Sequence, residues 1–316
     1  MKKTACLYSD KFLLHSPGAR SPENALRLET IKKRLSATGL SDRLFCVQPG
    51  PRVQTVRKAI LSVHSAAHYN SVVKWHSKAV PPLLAVSAVL TAIDLVMKKR
   101  VSNAFCAVRP PGHHAHNNGA HCDGNYQGEG FCFFNNAAVG ARYAQKNHGC
   151  KKILIVDWDY HHGNGTEWAF YKDPTVFYFS THSLYDYPVT GFPARKGEGR
   201  GLGYNLNVPL AAGASDHEIH SAFKSQLLPA LEKKGFVPDL IIISAGFDSR
   251  KDDFIGHFTV TDSGFAELTK FMMGLADIYC EGRIVSVLEG GYNPAGLAQA
   301  VCAHLRALMN ATQIEV

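Results

Sequence analysis

The segment that most restricts what this chain can fold into is Lys152-Ile-Leu-Ile-Val156, which runs directly into Asp157-Trp-Asp-Tyr-His-His-Gly-Asn-Gly165. A short apolar run rich in β-branched residues is the pattern of a strand buried on both faces in a parallel sheet. Alternate residues of an extended chain share a face, so Asp157, Asp159 and His161 point to one side where the strand ends. Open α/β sheets bind their ligands at that carboxyl edge. Two carboxylates and an imidazole there are a ready set of metal ligands. The same side chains could instead only cap a following helix, and the rest of the chain has to decide between the two readings.

The other apolar periods alternate in the same way. Strands are expected over 4–8, 45–47, 103–108, 152–157, 175–180, 239–244 and 283–288. A helix is expected from Ser21-Pro22-Glu23 to about Ala37, with Ser21 as N-cap and Pro22 in its first turn. Others are expected over 53–78, from Pro81-Pro82 to about Lys99, and over 135–148, which Gly149 stops. The capping box Ser215-Asp-His-Glu218 opens a helix to about Lys234. Two more follow over 263–280 and from Pro294 to about Met309, and a long Gly-rich loop covers 183–203. Strands alternating with helices predict an α/β fold with a mostly parallel sheet covered on both faces. No repeat or linker divides the 316 residues, so one domain over 1–316 is expected.

Composition removes several function classes. At 46% hydrophobic content, a chain of this length can bury a large core. The net charge of +8 is spread, with short clusters at Lys98-Lys99-Arg100 and residues 195–200. This describes a solvated basic surface, and nucleic acid is not directly indicated. The eight cysteines contain no CxxC pair, which argues against a zinc ribbon or disulfide scaffold and for a reducing compartment. No apolar run is expected to approach the roughly 18 residues of a membrane span. The basic start meets Asp10 and Lys11 before an apolar signal region forms, so a cytoplasmic location is expected. The sequence does not indicate an oligomeric state.

Three further loops follow expected strands and so reach the same sheet edge. Arg109-Pro-Pro-Gly-His-His114 presents two adjacent imidazoles on a stiff path. Ser244-Ala-Gly-Phe-Asp248 ends in a carboxylate. Leu288-Glu-Gly-Gly-Tyr292-Asn projects a phenol beyond two glycines. Each alone is weak, since an Asp after a strand is usually a turn residue and a Tyr after Gly-Gly usually packs. Together with Asp159 and His161 they supply three metal ligands, two acid/base groups and an oxyanion donor, the parts of metal-assisted hydrolysis.

These loops, with Gly130-Phe-Cys-Phe-Phe-Asn-Asn136, resemble in order the motif set of zinc-dependent histone deacetylases and acetylpolyamine amidohydrolases, from about Ser21 to Ala307. His-His-Gly-Asn-Gly and Leu-Glu-Gly-Gly-Tyr are similar to the class II branch. The resemblance implies a three-layer arginase/deacetylase-like fold and removal of acetyl or related acyl groups from lysine side chains of proteins or histones. On matching positions it implies one catalytic Zn2+ held by Asp159, His161 and Asp248. His114 would be the general base and then the acid, His113 electrostatic support, and Tyr292 the oxyanion donor. Asp157 and Asn164 would be the partners of His113 and His114. An Asp raises the basicity of its imidazole and an Asn does not, which separates the two roles.

Gly130, Phe131, Tyr187, Ile255 and Gly291 would line the substrate tunnel, with Tyr187 where the family usually has Phe and Cys132 near the foot. A structural K+ or Na+ is implied near Asp157, Asp159, His161, Ser180 and Thr181, and a second near Phe170, Asp173, Val176 and Tyr204. Three departures stand out. The stretch 115–129, with His116, His121, Cys122 and Asp123, is longer than the family's loop and is read as a rim or lid. Ser21 stands where relatives often have His. The segment between Tyr69 and Pro81 is short.

Among rivals, an arginase-like two-metal hydrolase would need an Asp-x-Asp after the strand, whereas Ser249 and Arg250 follow Asp248. An acetylpolyamine deacetylase would carry an acidic gatekeeper where this chain has Ile255. An inactive acyl-lysine-binding module would not need every chemical position filled. The expected partner is an acetylated protein or peptide.

Overall fold

The computed structural model describes residues 3–75, 80–118 and 129–310. Its strands are the apolar runs, and those at the centre are buried along their whole length. They are β1 (Thr4–Leu7), β2 (Phe45–Val47), β3 (Asn103–Cys106), β4 (Ile153–Asp157), β5 (Val176–Ser183), β6 (Asn205–Leu210), β7 (Leu240–Ala245) and β8 (Ile284–Leu288). They form one eight-stranded sheet in the order β2-β1-β3-β8-β7-β4-β5-β6. Every pairing is parallel. The sheet is therefore wholly rather than mostly parallel, and all its carboxyl ends share one edge.

Two groups of helices form the outer layers. One contains α1 (Leu26–Ala37), α9 (Asp262–Cys280) and α10 (Pro294–Asn310). The other contains α2 (Val53–Ile60), α4 (Val80–Met97) and α5 (Asn136–His148). Asn135 caps α5 through the Ala138 N–H, and Gly149 ends it in the left-handed region at φ 71°. Helix α4 corrects one expectation. Its 18 residues are long and apolar enough by composition to cross a membrane, and two-thirds of them are buried within the fold. Its length is as expected, and Ser87, Thr91 and Asp94 are the polar residues that interrupt the apolar run.

Other boundaries moved for identifiable reasons. Ser21 and Pro22 do not open α1, which starts at Leu26, because Glu23 turns inward to meet two arginines. The expected helix over 53–78 is split into α2 and α3 (Ala66–Trp75). Between them the Ser65 N–H leaves the helical ladder and donates to the Asn117 carbonyl at 2.8 Å, while buried His64 accepts the Asn135 N–H at Nε2 (2.9 Å). The capping box at Ser215 and Glu218 forms as expected and opens α7 (Asp216–Ala222). A wide π turn over Phe223–Leu227 then leads into α8 (Leu228–Lys234). Pro229 lacks an N–H and its ring would clash with the carbonyl of Ser225 in a regular α-helix, which accounts for the widening. Strand β6 and helix α6 (Asn164–Phe170) were not anticipated, and β5 runs on to Ser183.

Candidate active site

Neighbours in the sheet supply neighbours in the site. Strand β4 lies between β7 and β5, with Asp157 in register with Ser244 on one side and Ser180 on the other. Beyond β4 the chain turns through Asp157–His161 with backbone amides closing on its own carboxylates. The Asp159 N–H donates to Asp157 Oδ1 (3.1 Å) and the His161 N–H to Asp159 Oδ1 (2.9 Å). Asp248, beyond β7, accepts the Tyr160 N–H at 2.9 Å and meets His161 Nδ1 at 2.9 Å. Beyond β8, the Gly290 N–H donates to Asp159 Oδ2 at 2.8 Å. A Cβ at Gly290 would collide with the Asp159 and Asp248 carboxylates, so this approach requires glycine. Asp159, His161 and Asp248 are buried, and their ligand atoms lie within 4.8 Å of one another.

The loop after β3 brings in the histidine pair. Glu289 Oε2 accepts the N–H groups of Gly112 (2.6 Å) and His113 (3.2 Å), joining that loop to β8. The two imidazoles have centroids 4.0 Å apart. His113 Nδ1 lies 3.0 Å from Asp157 Oδ2, and His114 Nδ1 lies 2.7 Å from Asn164 Oδ1. Tyr292, Gly130, Phe131, Tyr187, Ile255, His114 and His161 line one cleft of about 360 Å³ together with Pro17. Phe131 and Tyr292 rings stand 5.9 Å apart across it, and His114 and Tyr187 5.1 Å. Gly291 is buried behind Tyr292 in the left-handed region at φ 121°.

Electrostatics differ sharply between the paired groups. Burial lowers the basicity of His113, but the charges of Asp159, Asp157 and Glu289 outweigh it, so its pKa lies well above the ordinary value. Burial and the charges of His113 and His161 hold His114 well below. Burial together with the Asp159 charge pushes Asp248 up to about 7. Burial also raises Glu289 to about 7. For His161 burial is again opposed by Asp159 and Asp248, which bring it to about 10. Burial and the same two carboxylates keep the Tyr292 phenol well above its usual value, hence protonated and able to donate. Buried carboxylates crowded on one imidazole are short of positive charge. Two oxygens and a nitrogen converging there suit a borderline dication such as zinc.

The sequence profile of the histone deacetylase domain matches residues 21–308. The chain belongs to the histone deacetylase family. It is 34% identical over 310 residues to a probable deacetylase of Archaeoglobus fulgidus, covering 93% of this chain and 82% of that one. It is 41% identical over 234 residues to the polyamine deacetylase HDAC10 of Danio rerio, covering 72% of this chain and 32% of that protein. The crystal structure of the HDA15 HD domain superposes with a TM-score of 0.87 at 32% identity, covering 99% of this chain and 90% of that one. Deacetylases of this family are generally zinc-dependent hydrolases of acetylated substrates, and the Asp159, His161 and Asp248 group is a possible metal site.

Within this deacetylase fold, several site residues carry no role in the sequence reading. Asp253 accepts the N–H groups of Ile255 (3.0 Å), Gly256 (3.3 Å), Tyr292 (2.7 Å) and Asn293 (3.2 Å), clamping the rim loop to the Tyr292 loop. Arg27 donates to the carbonyls of Gly291 (2.6 Å) and Glu289, and its guanidinium lies 5.2 Å from the Tyr292 ring centroid. Glu289, fully buried between an apolar strand and two glycines, offered the one available signal, because a carboxylate there must find donors. At the expected cation position Asp157, Ser180 and Thr181 are buried. Ser180 Oγ pairs with His182 Nδ1 at 2.8 Å, and Thr181 Oγ1 has no hydrogen-bond partner among the described residues. His121, Cys122 and Asp123 lie outside the described residues, as does part of the segment between Tyr69 and Pro81.

Proposed function

We propose that this chain acts as a single catalytic domain over residues 1–316, a zinc-dependent amidohydrolase that removes acetyl or a related acyl group from lysine side chains of proteins, histones included. The observation carrying this reading is the convergence of three buried metal-type donors within 4.8 Å at a cleft also lined by His114 and Tyr292. Asp159, His161 and Asp248 would hold zinc. When bound, zinc polarises an acyl carbonyl and acidifies a water.

The chain's own side chains do the rest. His114 is the weakly basic imidazole that takes the water's proton and passes it to the departing amine. His113, kept charged by Asp159 and Asp157, stabilises developing negative charge. Tyr292 donates its O–H to the oxyanion, its loop held by Arg27 on the Gly291 carbonyl and by Asp253 on the Tyr292 N–H. Gly130, Phe131 and Tyr187 shape a passage for an acylated alkyl chain, with Ile255 at its mouth. Gly291 is buried against Leu297 and Phe247 and supports Tyr292 from behind rather than lining the passage. A K+ or Na+ held by Asp157, Asp159, His161, Ser180 and Thr181, largely through carbonyls, would brace the β4–β5 turn. The buried Thr181 hydroxyl, without a hydrogen-bond partner among the described residues, is consistent with such a site.

Ile255 offers nothing to balance a distal ammonium, which favours acetylated protein or peptide over polyamine. The polyamine reading draws on the fish relative. All seven cysteines within the described residues are free thiols, in keeping with work in a reducing compartment such as the cytoplasm. A panel of acylated peptides and acetylspermidine, assayed with zinc-loaded and chelated protein, tests the reading. Zinc-dependent turnover highest on acetyl-lysine peptides is expected. A preference for acetylspermidine would move the substrate class, and hydrolysis of neither would remove the activity.

A further inference from the structure

A neutral amide is a poor partner for a general base, and the surroundings of Asn164 alter that. Its Oδ1 faces His114 Nδ1 at 2.7 Å. Its Nδ2 faces two acceptors, Glu129 Oε1 at 2.8 Å and His116 Nε2 at 3.1 Å. Both acceptor side chains are largely buried, at 12% and 16% exposure. An amide nitrogen has two hydrogens, and each is used here. Turning the amide over would set its oxygen against a carboxylate. Glu129 therefore fixes Asn164 with its oxygen towards His114, so His114 carries its proton on Nδ1 and leaves Nε2 bare for the cleft.

Resting on the deacetylase reading above, we propose that Glu129 is a positioning residue for the general base, acting through Asn164. The chain His114 Nδ1–H to Asn164 Oδ1, then Asn164 Nδ2–H to Glu129 Oε1, places a carboxylate one amide behind the imidazole. Hydrogen bonds in series polarise one another, so the anion makes Asn164 Oδ1 a stronger acceptor. When a water O–H breaks and its proton moves to His114 Nε2, the resulting imidazolium is stabilised by that polarised oxygen. The same proton later leaves Nε2 for the amine, and no other reactant is needed. His116 holds the second amide hydrogen and is itself fixed by its carbonyl, which meets His64 Nδ1 at 2.8 Å. Two residues near the ends of the lengthened stretch, His116 and Glu129, thus meet behind the base.

Glu129→Gln keeps the acceptor and removes the charge. A general base contributes about 10²–10⁴ in rate, and losing one relayed part of it should lower kcat by roughly 3- to 10-fold with KM nearly unchanged. Asn164→Asp puts a carboxylate directly on His114, and in that background Glu129→Gln should raise kcat by relieving repulsion. A purely structural Glu129 would cost the same in both backgrounds, which would overturn the proposal, as would parental kcat in Glu129→Gln. If the variant does not fold, imidazole ¹⁵N spectra of the parental protein decide. A hydrogen-bonded Nδ1–H on His114 supports the relay, and a proton on Nε2 overturns it. Absence of turnover in the parental protein would instead remove the deacetylase reading, and the spectra would still judge the hydrogen-bond chain.

Discussion

Two buried charge clusters lie close together in this molecule and are built on opposite principles. In the first, Glu23 sits between Arg27 and Arg109, with His15 alongside. Burial would raise the Glu23 carboxyl, but His15, Arg109 and Arg27 outweigh it and hold it well below the ordinary range. Spare guanidinium hydrogens go to the carbonyls of Phe12, His15, Glu289 and Gly291. In the second, Asp157, Asp159, Asp248 and Glu289 share mainly two imidazoles, and two of the carboxyls are pushed up to about 7. The first cluster is complete and ties the N-terminal segment to the Tyr292 loop. The second is short of positive charge, which a dication would supply.

This contrast can be broken by substitution. Asp159→Ala should abolish zinc binding and reduce turnover to background while the fold survives, as read by metal analysis and circular dichroism. Glu23→Ala should do the reverse. Stranding two buried guanidiniums costs about 3–5 kcal/mol of stability, measurable by denaturant unfolding, with the three proposed zinc ligands untouched. Tyr292→Phe should keep zinc and stability and lower kcat by roughly 10²–10³-fold.

The graded effect sharpens the comparison through pH. A metal-free His161 at about 10 and Asp248 at about 7 must both lose protons to ligate. Below pH 7 zinc therefore displaces a proton from each, and between 7 and 10 only from His161. Apparent zinc affinity should rise with pH by about tenfold per unit per displaced proton, more steeply below 7 than above. Calorimetric titration in buffers of different ionisation enthalpy counts those protons. A pH-independent affinity would mean that the second cluster is already balanced.

Much of this site was legible because the strand ends announce it. Asp157, Asp159 and His161 follow one apolar run, and Asp248, Tyr292 and the His113–His114 pair each follow another, so parallel pairing alone brings them to one edge. Glu23 and Arg27 were not legible, because their partners lie far along the chain and a Ser-Pro-Glu opening is equally good helix grammar. Strand β6 was missed because Asn205 and Asn207 interrupt its apolar character. Those asparagines are buried to hold Glu167, an interaction with no local trace. The split of α2 from α3 falls where the Ser65 N–H turns to the carbonyl of distant Asn117, a bond with no local trace.

Zinc K-edge absorption on protein loaded with one equivalent tests the central claim most directly. The account predicts one imidazole nitrogen with otherwise oxygen donors at roughly 2.0–2.2 Å. It predicts no sulfur, since burial and neighbouring carboxylates keep the nearby Cys132 a protonated thiol. A sulfur shell near ~2.3 Å, or failure to bind a stoichiometric ion, would contradict it.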